Sequence, residues 1–269
     1  MHLPVDSIGK KELRNYKNDY TMKKIATLLA VLAAGYSAQA ADATVSASKP
    51  AYTVTTDFTY ASEYVFRGQK QSNAAFQASA EVGYKAIYAG VWANQPLRNG
   101  EGDEIDFYLG YGFPLQNDWK IDTGLSSYSF PEFIKGSGSS RIATYEGYVG
   151  LTGGNFGGFT PSLYTYYDFK YDDVTVQGSI GYSLPIKQIG TSLDFAVTYG
   201  FSPNTGRFNS GVANNTYWGA GVTVPYQLAA NTKITGGLQY ADADGANATQ
   251  AGFAVKSTFY YTIGLTFGF

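Results

Sequence analysis

The chain has no cysteine and a single histidine, His2. Without cysteine there is no disulfide framework, no thiolate metal site and no thiol nucleophile. His2 lies ahead of the segment read below as an export signal. A mature chain beginning near Ala41 therefore has neither residue type, which excludes Ser–His–Asp triads and histidine metal centres. Charge is also sparse: 15% of residues are charged, with a formal net of -2. No basic patch of the kind that binds nucleic acid is present. Long apolar runs are missing too, and the mean hydropathy of -0.18 is too polar for a bundle of membrane helices. From these absences no catalytic residue, cofactor or metal is expected, and the chain is read as a non-enzyme.

Glycine and tyrosine are abundant, at 32 and 24 of 269 residues, and glycine is usually about 7% of a soluble chain. The last fifteen residues show what they serve. From Val255 to Phe269 the odd positions (Val255, Ser257, Phe259, Tyr261, Ile263, Leu265, Phe267, Phe269) are almost wholly apolar. The even positions (Lys256, Thr258, Tyr260, Thr262, Gly264, Thr266, Gly268) are mostly small, polar or charged. Strict alternation means a β-strand between two different environments.

The N-terminal region is read as leader. Met22-Lys23-Lys24, an apolar run from Ile25 to Ala34 and the exit Ala38-Gln39-Ala40 are the three parts of a secretory signal peptide. The run is far short of the ~20 residues a spanning helix needs. Residues 22–40 are thus expected to be cleaved after Ala40, and residues 1–21 are read as an extension ahead of the natural start at Met22. Residues 41–51 form a linker, and 52–269 the folded body.

That body reads as about twelve alternating segments of roughly ten residues, the length a tilted strand needs to cross a bilayer. They are Tyr52–Arg67, Phe76–Tyr84, Ile87–Ala93, Glu104–Phe113, Trp119–Ser129, Ile142–Leu151, Phe159–Phe169, Val174–Leu184, Leu193–Phe201, Thr216–Tyr226, Lys233–Ala241 and Val255–Phe269. Their connections alternate between short turns and mostly longer polar loops, with Lys170–Asp173 the one short link on the long-loop side. In the first segment Tyr52, Val54, Phe58, Tyr60, Tyr64 and Phe66 share one face. Tyr88 and Trp92 fall on the opposite, inner face of theirs.

Nearly all strand charges share one parity: Asp57, Glu63, Glu81, Glu104, Asp106, Lys120, Asp122, Glu146, Asp168, Asp194, Lys233 and Lys256. Turning them to lipid would cost up to ~2–4 kcal/mol per Lys near the midplane and somewhat less per acid. Summed, this exceeds the ~5–15 kcal/mol that holds an ordinary fold. The charged face must therefore point into a lumen or into water. The fold class expected is all-β: a transmembrane antiparallel up-and-down β-barrel of about twelve strands in the bacterial outer membrane. A soluble periplasmic barrel or sandwich is the competing fold.

One stretch carries a resemblance. Ser62-Glu63-Tyr64-Val65-Phe66-Arg67-Gly68, Gln71-Ser72, Gly83-Tyr84 and Tyr88-Ala89-Gly90-Val91 resemble the N-terminal signature of the TorF-like porin family. The chain's ending, with Tyr261, Ile263, Leu265, Phe267 and Phe269, resembles the C-terminal assembly signal of outer-membrane barrels. The first resemblance implies passive solute transfer; the second implies a partner in the barrel-assembly machinery. Outer-membrane lipid and lipopolysaccharide are the other expected partners.

The function expected is a narrow channel for small polar solutes. Its candidate lumen and selectivity residues are Asp57, Glu63, Arg67, Glu81, Asp106, Asp122, Glu146, Asp168, Asp194 and Lys256. Residues 42–269 hold eighteen acids and thirteen bases, a net of -5, so a slight cation preference is expected. The alternative is a closed structural or surface-interaction barrel with a plugged lumen. Glu63 and Arg67 are read on one lumen stripe, with Glu81 near Glu63 and Gln77 near Arg67, forming either a filter or a stiffening ionic network. The acidic stretches Glu101–Asp106 and Asp242–Gly245 are read as solvated outer loops, since neither has the full ligand spacing of the alternative, a site for a hard cation such as Ca²⁺, and Gly153–Gly158 is read as a turn.

Overall fold

In the computed structural model, residues 52–131, 144–202, 215–244 and 257–269 are described. The readings of residues 1–51 and of Lys256 lie outside them. The strands are β1 (Tyr52–Ala61), β2 (Tyr64–Phe66), β3 (Gln69–Ser72), β4 (Ala75–Tyr84), β5 (Ile87–Pro96), β6 (Glu104–Pro114), β7 (Lys120–Ser129), β8 (Thr144–Thr152), β9 (Phe159–Asp168), β10 (Asp173–Ile186), β11 (Thr191–Ser202), β12 (Asn215–Ala229), β13 (Thr232–Asp244) and β14 (Ser257–Gly268). β1 and β4 through β14 form one closed antiparallel barrel; β2 and β3 form a separate two-stranded hairpin. Each barrel strand pairs with its sequence neighbours. Closure is made by β1 on β14, in register from Thr55 opposite Gly268 to Ala61 opposite Thr262. Closure leaves no strand edge, the condition for placing backbone amides in hydrocarbon.

Residues directly opposite in neighbouring strands share a face, so the register can be followed round the wall. One such line runs Asp57–Ser79–Trp92–Asp106–Tyr128. The other face is exposed and apolar: Phe107 is 58% accessible, Val197 54% and Phe259 80%. Trp218, Tyr240 and Phe259 run as adjacent rings along it. Soluble monomers rarely expose an apolar surface of this extent, and larger ones mark interaction or membrane-facing sites. The periodicity is that of a protein turned inside out, with charge around the axis and hydrocarbon-compatible side chains outside.

At one end the connections are short, such as the two-residue Lys85–Ala86 turn and the 3₁₀ turns Gln116–Asp118 and Lys187–Ile189. The start of β1 and the end of β14 lie at this end, where the Phe269 N–H donates to the Val54 carbonyl at 2.8 Å.

The first segment departs from its sequence reading. Tyr52–Arg67 is not one strand. β1 ends at Ala61, and the chain leaves the wall at Ser62-Glu63 to form the β2–β3 hairpin before re-entering as β4. Tyr64 therefore does not face outward with Phe58: it is 8% accessible and packs on inward Trp92 at 5.3 Å between centroids. Alternation predicts facing only while the strand continues, and here the wall continues without β2. Nor do Glu81 and Gln77 lie beside Glu63 and Arg67. The register places Glu81 opposite Thr55 and Gln77 opposite Thr59.

Candidate functional site

The β2–β3 hairpin turns at Arg67-Gly68, between paired Phe66 and Gln69. Both central residues have positive φ, 48° and 75°, as a two-residue I′ turn requires. At Arg67 this costs about 1–2 kcal/mol. At Gly68 no other residue fits, because an added Cβ would sit 2.6 Å from the Asp242 carbonyl oxygen and from Tyr217 Cβ. The tip thus lies against β12 and β13, across the barrel from β6 and β7. Gly68–Ala75, which joins the first two predicted segments on the side of the longer loops, instead carries the second arm of a hairpin folded into the lumen.

Its hold is mainly ionic at the tip. The Arg67 guanidinium forks onto the Glu146 carboxylate at 2.8 and 2.9 Å, and the two side chains are 5% and 2% accessible. Tyr128 Oη donates to Glu146 at 2.8 Å. The guanidinium also lies 4.6 Å over the Tyr166 ring. Burial alone would lower the guanidinium's pKa, but the adjoining Glu146 outweighs it and holds Arg67 charged. Tyr64, buried beside Glu104 and Asp106, has its phenol pushed well above the usual range, chiefly by burial. Nearer the base, Lys70 Nζ donates to Glu63 at 2.6 Å, and Thr258 donates to the same carboxylate. Glu101 receives both the backbone N–H and the side-chain amide of Asn73. With Glu101, Asp103 and Glu104 all buried, the stretch read as a solvated loop is a clamp on the hairpin's base. Asp242 lies in β13, and the rest of that acidic stretch from 245 lies outside the described residues.

The wall behind the hairpin has two unlike halves. From β5 to β9 it is filled by tyrosines anchored on acids. Tyr88 Oη donates to Asp122 at 2.8 Å and lies 2.5 Å from Tyr148 Oη; Tyr164 donates to Asp122 at 3.1 Å and Tyr108 to Glu81 at 3.0 Å. Each ring lies flat across a glycine of a neighbouring strand. A Cβ at Gly110 would stand 2.2 Å from Tyr88 Cζ, one at Gly90 2.4 Å from Tyr108 Cζ, and one at Gly150 2.2 Å from Tyr164 Cε1. These inward glycines are the beds of inward tyrosines. Around β10–β14 the inner wall is lined mainly by small residues. There a cavity of about 260 Å³ opens between the hairpin (Val65, Arg67, Gly68) and Gln177, Thr198, Tyr217, Gln239 and Tyr260.

Asp57, Glu81, Asp106, Asp122, Glu146, Asp168 and Asp194 all stand on the inward register. The structure brings together only some of them. Glu146 joins Arg67; Asp122 and Glu81 hold tyrosines; Asp57 receives Thr59 at 2.6 Å and Thr266 at 2.8 Å; Asp194 receives Ser183 at 2.6 Å. Asp168 accepts from Thr144 at 2.5 Å and from the Lys170 backbone N–H at 2.9 Å. Asp173, on the inward register opposite Asp168, takes the Ser202 hydroxyl. No group of three or more potential metal-binding carboxylates occurs among the described residues.

A closed twelve-strand barrel with an apolar outside, a carboxylate-lined inside and an inward segment has the fold of the small outer-membrane porins. The KdgM porin solved in complex with disordered oligogalacturonate is 10% identical over 81% of this chain and 99% of its own, with a TM-score of 0.51. The NanC porin is 15% identical over 80% and 98%, also at 0.51. LpxR from Salmonella typhimurium is 9% identical over 79% and 99%, at 0.49. At such identities the likeness is one of fold. No curated protein matches the chain. Residues 42–267 match the family described as "Bacterial protein of unknown function (Gcw_chp)", and the chain belongs to it. The first-hairpin signature that resembles TorF-like porins falls within that match.

Proposed function

We propose that the protein is an outer-membrane channel for passive diffusion of small polar solutes, narrowed by the β2–β3 hairpin and slightly cation-preferring. The observation that carries this reading is the uneven filling of the lumen. A sealed barrel of this size would have bulky side chains on every inward strand. Here the tyrosines crowd β5–β9, while Ala196, Thr198, Gly219 and Gly221 leave space along β11 and β12. Solutes would pass between that wall and the hairpin. The inward carboxylates Asp57, Glu81 and Asp194 set the sign of the preference, with Lys120 and Lys233 as the inward ammonium groups of the same wall.

The exposed apolar exterior supports residence in lipid, with lipopolysaccharide facing the long-loop end. Tyr261, Ile263, Leu265, Phe267 and Phe269 remain the proposed signal to the assembly machinery. The second reading, a closed structural barrel, is favoured by one observation: the Arg67–Glu146 pair pins the hairpin across the axis. Swelling of proteoliposomes separates the two. The channel reading expects swelling in isotonic small polyols that slows as solute size rises; liposomes that hold their volume in every solute would reject it.

A further inference from the structure

The hairpin-side cavity has a chemistry of its own. Its polar groups are uncharged amides and hydroxyls, apart from Arg67, whose guanidinium is engaged by Glu146. Lys70, the other cation of the hairpin, is engaged by Glu63. The Gln239 carboxamide is laid along the wall between two glycines. A Cβ at Gly221 would stand 1.9 Å from its Oε1, and one at Gly237 2.8 Å from its Nε2. The glycines thus fix an amide whose oxygen and nitrogen form no hydrogen bond among the described residues. Gln177 accepts from Tyr217 Oη at 2.8 Å through its oxygen, which leaves its NH₂ facing the same space. Tyr217, Tyr260 and Val65 also line the cavity.

An amide offers a donor and an acceptor side by side, the pair a hydroxyl needs. Half-buried amides without protein partners are costly unless water or a ligand satisfies them. A carboxylate solute would find no uncommitted cation here. A cationic solute would find no carboxylate within the lining. A polyhydroxylated neutral solute matches both the amides and, through its C–H faces, the aromatic rings.

We infer that this cavity is a subsite for uncharged polyhydroxylated solutes, small sugars or polyols, held by Gln239 and Gln177. The inference rests on the channel reading for its purpose but not for its chemistry. It also separates this chain from the oligogalacturonate-bound KdgM porin, whose ligand bears a carboxylate on each sugar.

The test is equilibrium dialysis of the purified, detergent-solubilised protein against radiolabelled sucrose and against digalacturonate, alongside block of single-channel current by the same sugars. Saturable sucrose binding is expected, at least tenfold weaker in Gln239→Leu and lost in Ala196→Trp, which fills the cavity. Lys85→Gln, in the short turn between β4 and β5, should bind as the parent does. Digalacturonate should bind at least tenfold more weakly than sucrose. Sucrose binding in a protein that passes no current would uphold the subsite and reject the channel. Current without saturable sucrose binding, or digalacturonate binding as tight as sucrose, would overturn the subsite and leave the channel standing.

Discussion

Arg67→Ala is the most informative single change. The Arg67–Glu146 pair is bidentate and nearly inaccessible, at 2.8 and 2.9 Å. Removing one partner of such a pair strands the other as a buried charge, at a cost of about 3–5 kcal/mol. Loss of the guanidinium over Tyr166 adds about 0.5–2 kcal/mol, and alanine carries the same positive-φ cost as arginine, so that contribution does not change. At about 1.4 kcal/mol per decade, the undocked fraction of the hairpin should rise at least a hundredfold. The cysteine-free sequence makes this measurable. Ser72 on β3 is 1% accessible, so Ser72→Cys reports undocking through its rate of reaction with a membrane-impermeant maleimide. With opening fast against labelling, the rate follows the undocked population. The expected result is a labelling rate at least a hundredfold higher with Arg67→Ala. Arg67→Met with Glu146→Leu should recover most of the protection, since a well-packed apolar pair replaces a buried ion pair without large loss. A rate within threefold of the parent's in Arg67→Ala would refute the ionic latch and leave the aromatic contacts of Tyr64 and Phe66 as the hold.

Other perturbations address the wall. Gly110→Ala places a methyl 2.2 Å from Tyr88 Cζ, so the Tyr88–Asp122 and Tyr88–Tyr148 contacts must break; the urea midpoint of the barrel in lipid vesicles should fall by about 1–3 kcal/mol equivalent. Val197→Arg, on the exposed outer face, should destabilise by about 2–4 kcal/mol, whereas Ala196→Arg one residue away should fold normally and lower conductance; equal costs at the two sites would contradict the facing. Asn73→Ala removes the side-chain amide that binds Glu101 and should raise Ser72→Cys labelling about tenfold, less than Arg67→Ala does.

Strand number, closure and facing were legible because the chain repeats one rule: polar in, apolar out, with period two. Glu104–Phe113 and Val255–Phe269 state it almost without exception, and β6 and β14 follow. The hairpin was not legible for a physical reason. Tyr64 and Phe66 continue the apolar parity of β1, and a ring that packs inside a lumen looks the same in sequence as one that meets lipid. The only local mark of the departure was Ser62-Glu63, and Arg67-Gly68 marked the turn. The Arg67–Glu146 pairing spans seventy-nine residues of sequence, so no spacing could reveal it. The glycine beds were half legible. Gly110 and Gly150 are glycines at inward positions, but which tyrosine each receives depends on the neighbouring strand's register. The buried acids Glu101, Asp103 and Glu104 were misjudged because acidity was read as solvation, when Asn73 at the hairpin's base gives Glu101 the partners that water otherwise would.

Current through a planar bilayer holding the purified protein, under a KCl gradient, tests the central claim most directly. Discrete steps are expected, with a zero-current potential of the sign that marks potassium as the more permeant ion. A bilayer that stays sealed, or a zero-current potential of chloride sign, would contradict the lumen described above.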